Sequence, residues 1–207
     1  MRAAAARLSL ILLFPPLLAF GCGPQKNKAA PTLTVRTYNH AALPAPTLER
    51  AERLSDDIFH QAGIELEWVE CGVSPEDTKK FAACDKVLER HSPSVVLKLI
   101  PESMASGLPR PAERFAIAIP STVFVFWQRI HNAADMSGIP EDLMLGTILP
   151  HELGHEVLGT SSHSDCGIMK PILRPEDFGA TELGRMRFCT EQATQLRTIL
   201  RSGKLHE

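Results

Sequence analysis

Hydrophobic and polar positions alternate or recur along the chain in a way that names most of its elements. TLTVRTYN (32–39) alternates and is rich in β-branched residues, so it reads as a strand. A helix follows from Thr47, taken as its cap, to about Ala62, with Leu48, Ala51, Leu54, Ile58 and Phe59 on one face and Gly63 as the stop. IELEWV (64–69) is a second strand with Ile64, Leu66 and Trp68 on the same side. The polar stretch between Cys71 and Cys84 reads as a loop carrying a short helix. SVVLKLI (94–100), bounded by Pro93 and Pro101, is a third strand. RFAIAIP (114–120) and TVFVFW (122–127) give one or two more, running into a helix near QRIHNAADM.

The next apolar run differs. From Pro140, Leu143, Met144, Ile148, Leu149, Leu153 and Val157 follow helical spacing with few polar interruptions, which predicts a largely buried helix. Pro140 suits its first position, and Glu141 and Asp142 suit the positive end of its dipole. Pro150 lies inside it, lacks an amide hydrogen and crowds the carbonyl of Gly146, so a kink is expected there. Gly159 ends the helix. TEQATQLRTILRS (190–202) forms a last helix with Thr190 as cap and Gly203 after it. No internal repeat is visible.

The first residues, MRAAAARLSLILLFPPLLAFGC, stand apart: two arginines precede an apolar run that is short and broken by Pro15 and Pro16. That pattern predicts a secretory signal over residues 1–22 rather than a membrane-spanning helix. Cys22 directly after Gly21 resembles the lipidation site of a bacterial lipoprotein, although Ala19 and Phe20 depart from the commoner residues. Residues 23–31 would be a tether and 32–207 one domain. The chain is then expected in the bacterial cell envelope, lipid-anchored to a membrane, or otherwise periplasmic or secreted. A net charge of −2 with 22% charged residues offers no basic surplus for a nucleic-acid partner. Without Cys22, four cysteines remain, and an exported protein would oxidise them. Three connectivities are possible; Cys71–Cys84 and Cys166–Cys189 are preferred because each closes a short loop.

The chemistry is concentrated in HELGHEVLGTSSHSDCGIM (151–169). His151 and His155 are one turn apart on one helical face and can share a zinc ion. Glu152 is rotated about 100° from His151, beside the metal rather than on it, where a general base is needed. These residues, with His163, Met169 and Pro171 following, resemble the metzincins, and within them the matrixin-like peptidases, whose signature is HExxHxxGxxH and then a Met-bearing turn. The resemblance implies a zincin-like α+β fold. A mixed sheet packs on the active helix, and a small C-terminal part carries the Met-turn and the last helix. It implies one catalytic zinc ion held by His151, His155 and His163, Glu152 as base, Gly159 as the turning glycine and Met169 as the floor. It also implies a peptide or protein as substrate, and the chain is read as a monomer. The motif here is stretched: Gly159 comes four residues after His155 and His163 four after Gly159, one more than the signature in each gap. Asp165 is the reserve third ligand, and Glu176 or Glu182 would serve in a thermolysin-like site. Cys166 as a ligand competes with its disulfide. The Tyr that some metzincins place after the Met is absent; the only Tyr is Tyr38. The alternative function is a zinc-binding lipoprotein that cleaves nothing.

Overall fold

A computed structural model describes residues 29–89, 92–108, 114–159 and 161–205. The expected signal and Cys22, most of the tether, His91 and His206 lie outside the described residues.

Five strands form one sheet: β1 (Thr32–Asn39), β2 (Glu65–Glu70), β3 (Ser94–Ile100), β4 (Ala116–Ile119) and β5 (Thr122–Phe126), in the order β2-β1-β3-β5-β4. The first four strands in that order are parallel, and β4 is antiparallel to β5 at the edge. Helix α1 (Ala45–Gln61) makes the crossover from β1 to β2, and α2 (Thr78–Glu89) the crossover from β2 to β3. A short 3-10 turn (Glu102–Gly107) follows β3. After β5 come α3 (Trp127–Ser137), α4 (Glu141–Leu158), a 3-10 turn (Gly167–Met169), α5 (Pro175–Glu182) and α6 (Thr190–Ser202).

The period of two in the strands puts one face of the sheet into the core. Leu33 and Val35 of β1, Val95, Leu97 and Leu99 of β3, and Val123 and Val125 of β5 are all fully buried. Helices α1 and α4 pack against one another beneath this face. Helix α4 is apolar nearly all round and buried almost along its length, which places its two histidines in the interior of the molecule. The expected α+β, zincin-like arrangement is therefore the one observed, with a mixed sheet above the HExxH helix. Helix α4 continues unbroken through Pro150.

Several boundaries differ from expectation: Pro140 precedes α4 rather than opening it, and Thr190 is the first residue of α6, with Cys189 in the cap position. Helix α1 begins at Ala45 with Pro46 in its first turn, so Thr47 lies inside the helix rather than capping it. The proline ring, already set near a helical φ and lacking a donor, is the better start signal. The polar stretch before β3 carries twelve helical residues, more than the short helix foreseen. Helix α5 was not foreseen at all. The disulfides are Cys71–Cys84, joining the end of β2 to α2, and Cys166–Cys189, joining the 3-10 turn to the start of α6. No described helix is long and apolar enough to cross a membrane.

Candidate active site

The stretched motif closes on itself. Nε2 of His155 lies 3.1 Å from Nε2 of His151 and 3.1 Å from Nε2 of His163. The helix ends at Leu158, and Gly159, at φ 98°, turns the chain back so that His163 reaches the same point. The added helical residue and the added loop residue thus compensate. Asp165, Glu176 and Glu182 are exposed and stand outside the cluster. Cys166 is held in its disulfide.

The hydrogen bonds at the far side of the two helical rings decide what their inner nitrogens present. Nδ1–H of His151 donates to the Ile168 carbonyl at 2.8 Å. Nδ1 of His155 faces Ser162 Oγ at 3.1 Å and the Gly159 carbonyl at 3.4 Å. A carbonyl can only accept, so each ring carries its proton on Nδ1 and turns an unprotonated Nε2 inward. Burial keeps both rings neutral: it lowers the pKa of His151 and brings that of His155 down to about 4. Lone pairs converging at this distance repel one another unless a cation lies between them. Tetrahedral zinc with Zn–N bonds of about 2.0–2.1 Å separates its nitrogens by about 3.3–3.4 Å. The donor set therefore fits zinc in chemistry, number and spacing.

Met169 is fully buried, and its sulfur lies against Gly154, between the two helical histidines. Its turn is fixed from three sides. The Ser164 amide donates to the Met169 carbonyl at 2.9 Å, and the Ile168 amide to the Arg187 carbonyl at 2.9 Å. Gly167, at φ 65°, passes so near Arg187 that a Cβ there would lie 2.3 Å from its carbonyl oxygen. Only glycine serves at that position.

The other face of α4 meets the edge hairpin. The Glu152 carboxylate accepts the Ala118 amide of β4; burial pushes its pKa up to about 7, opposed by the nearby Arg114 guanidinium. One turn on, buried Glu156 accepts the amides of Ser121 and Thr122 at the β4–β5 turn, and burial raises its pKa to about 7 as well. The sequence HELGHE thus carries two interleaved i,i+4 pairs, histidines toward the metal position and glutamates toward the hairpin. Glu156 was missed, although its spacing from Glu152 matches that of the histidines.

A cavity of about 910 Å³ runs over the three histidines. One wall is the stretch Arg114–Pro120, and the other is Lys170, Pro171, Ile172, Leu173 and Phe178. Lys170 is paired with buried Asp177 at 2.6 Å. Ser162, Arg114 and Phe178 were not singled out from the sequence, because only the fold brings them here. Three other histidines are elsewhere: His40 stacks on Tyr38, His60 pairs with Glu65, and His131 bridges Asp135 and Glu141.

No protein-family profile matches the sequence, and no curated protein matches it. Among solved structures, the chain is similar to a zinc-dependent peptidase from Methanocorpusculum labreanum, at 18% identity over 78% of this chain and 99% of that one, with a TM-score of 0.46. It is also similar to an archaemetzincin from Methanopyrus kandleri, at 16% identity over 84% of this chain and 98% of that one, with a TM-score of 0.48.

Proposed function

We propose that the chain is an exported zinc endopeptidase of metzincin type that hydrolyses peptide bonds of a peptide or protein substrate. The observation that carries this reading is the convergence of three imidazole Nε2 atoms beside the Glu152 carboxylate, at the floor of an open cleft. A structural zinc site closes its fourth position with protein, whereas this one leaves it facing the cavity. His151, His155 and His163 would hold the ion, which when bound supplies Lewis acidity and lowers the pKa of water toward about 7.

The chain's own groups do the rest. Among the described residues, strand β4 pairs on one side only, with β5. The Phe126 amide bonds the Phe115 carbonyl, a register that turns the backbone groups of Ala116 and Ala118 toward the cleft. An extended peptide pairs with that edge, its scissile carbonyl over the three histidines. Glu152 accepts the proton of the attacking water at a carboxylate oxygen and passes it to the leaving nitrogen. Its raised pKa suits both transfers near neutral pH. Ile148, Leu173 and Phe178 give the floor and far wall an apolar surface for one substrate side chain. The leader and Cys22 support a lipid-anchored location in the cell envelope, which places the substrate outside the cytoplasm.

The test is Glu152→Ala on the purified domain, assayed on a mixture of unstructured peptides. The account expects cleavage by the wild type and none by the variant, with zinc content unchanged. A wild type that holds zinc and cuts nothing would instead be a binding module using the same cleft.

A further inference from the structure

Among the charged side chains around the cavity, one makes no ion pair or hydrogen bond with another described side chain. Lys170 is neutralised by Asp177 at 2.6 Å. Glu152 accepts the Ala118 amide and is the general base of the function proposed above. Arg114, on the opposite wall from Lys170, is exposed and makes no ion pair with any described residue. Yet its charge is felt by both Glu152 and His155, so its guanidinium lies within electrostatic reach of the reacting centre.

Its backbone, by contrast, is firmly placed. Arg129 Nη1 donates to the Arg114 carbonyl at 2.9 Å. The same guanidinium grips Glu102 through Nε at 2.9 Å and Nη2 at 2.6 Å, and stacks over the Phe126 ring at 4.1 Å. A bidentate ion pair and an aromatic face thus fix the main chain of a residue whose own side chain pairs with no described carboxylate. That residue stands two residues before β4 and lines the cavity over the three histidines.

We propose that Arg114 is a specificity-determining residue that binds a carboxylate of the substrate, an Asp or Glu side chain, near the scissile bond. The inference rests on the peptidase reading above. Ala118, whose amide meets Glu152, marks the reacting position. Arg114 lies four residues back along the chain, at most roughly 13 Å at about 3.3 Å per residue. A strand paired with β4 advances at the same rate, so the carboxylate belongs about two to four residues from the cleaved bond. With a metal ion at the three histidines the cleft is electropositive over this whole length, and long-range attraction and the local contact favour the same acidic peptides.

The experiment uses matched fluorogenic peptides carrying Glu, Gln or Lys at each position in turn, with the zinc-loaded protein. The wild type should turn over the best Glu peptide with about ten-fold higher kcat/KM than its Gln counterpart, mainly through KM. Arg114→Ala should erase that difference, and Arg114→Glu should turn the preference toward Lys. No preference in the wild type, or one that survives in Arg114→Ala, overturns the proposal. The same peptides are also titrated onto Glu152→Ala by fluorescence anisotropy, where no cleavage intervenes. Binding of the Glu peptide that depends on Arg114, without turnover by the wild type, refutes the peptidase reading and keeps the acidic ligand. Cleavage indifferent to Arg114 does the reverse, and absence of any binding preference overturns the assignment of Arg114.

Discussion

Gly154→Ala probes how tightly the helix and the methionine turn are locked together. In an ordinary helix interior this change stabilises by about 1 kcal/mol, because alanine is the better helix former. Here the new Cβ would lie 2.5 Å from Met169 Sδ, 3.2 Å from its Cε and 3.1 Å from Phe188 Cε1. Carbon contacts are comfortable at about 3.5–4.0 Å, so Met169 must retreat by about 1 Å or more. It has flexible torsions, but it is fully buried, and Phe188, packed edge-on to Phe59 at 5.0 Å, stands on the same side. Overpacking of this kind costs about 1–3 kcal/mol, which leaves a net destabilisation of roughly 1 kcal/mol after the helical gain. The displacement also pulls on Ile168, whose carbonyl orients His151. Loss of such an outer contact lowers metal affinity about ten-fold. Urea unfolding of the metal-free protein reads the first effect and competition with a chromophoric chelator the second. Met169→Ala in the same chain should relieve the clash, so the double mutant should be more stable than the sum of the singles by about 1 kcal/mol. A Gly154→Ala protein that is simply stabilised, with zinc affinity intact, refutes the reasoning.

Ser162→Ala removes the hydroxyl beside His155 Nδ1. Zinc affinity should fall about ten-fold with little change in apoprotein stability, read by the same two assays. Glu52→Gln tests the acidic flank of α1. Burial first, then Asp56 and Glu70, push the Glu52 pKa up to about 7, so ionising it costs the folded state progressively as pH rises toward that value. Relative to the wild type, the Gln variant should gain stability between pH 5 and pH 8. The shift corresponds to about 3 kcal/mol at most, and about half that after solvent screening; denaturant curves at the two pH values measure it.

How much of this was legible follows from where the information lies. The strands and α4 were readable because burial imposes a local period: two in TLTVRTYN and SVVLKLI, nearly continuous apolarity in LMLGTILP. The helical histidines followed from the geometry of one turn. The third ligand could be named but not placed, since its reach depends on how Gly159 turns the chain. Helix α5 escaped because PEDFGATE has little apolar pattern of its own. Asp177 is buried in it only because Lys170 and the Arg174 amide satisfy its carboxylate, at 2.6 and 2.9 Å. Glu156 and Ser162 escaped for a related reason, as their partners are backbone amides of a distant hairpin and a ring nitrogen across a loop.

The most direct test of the central claim is the zinc content of the purified mature domain after dialysis, with His163→Ala and Asp165→Ala beside the wild type. The account predicts about one zinc per chain in the wild type and in Asp165→Ala, with a marked loss in His163→Ala. A wild type without zinc, or a His163→Ala protein that retains it fully, would contradict the three-histidine centre.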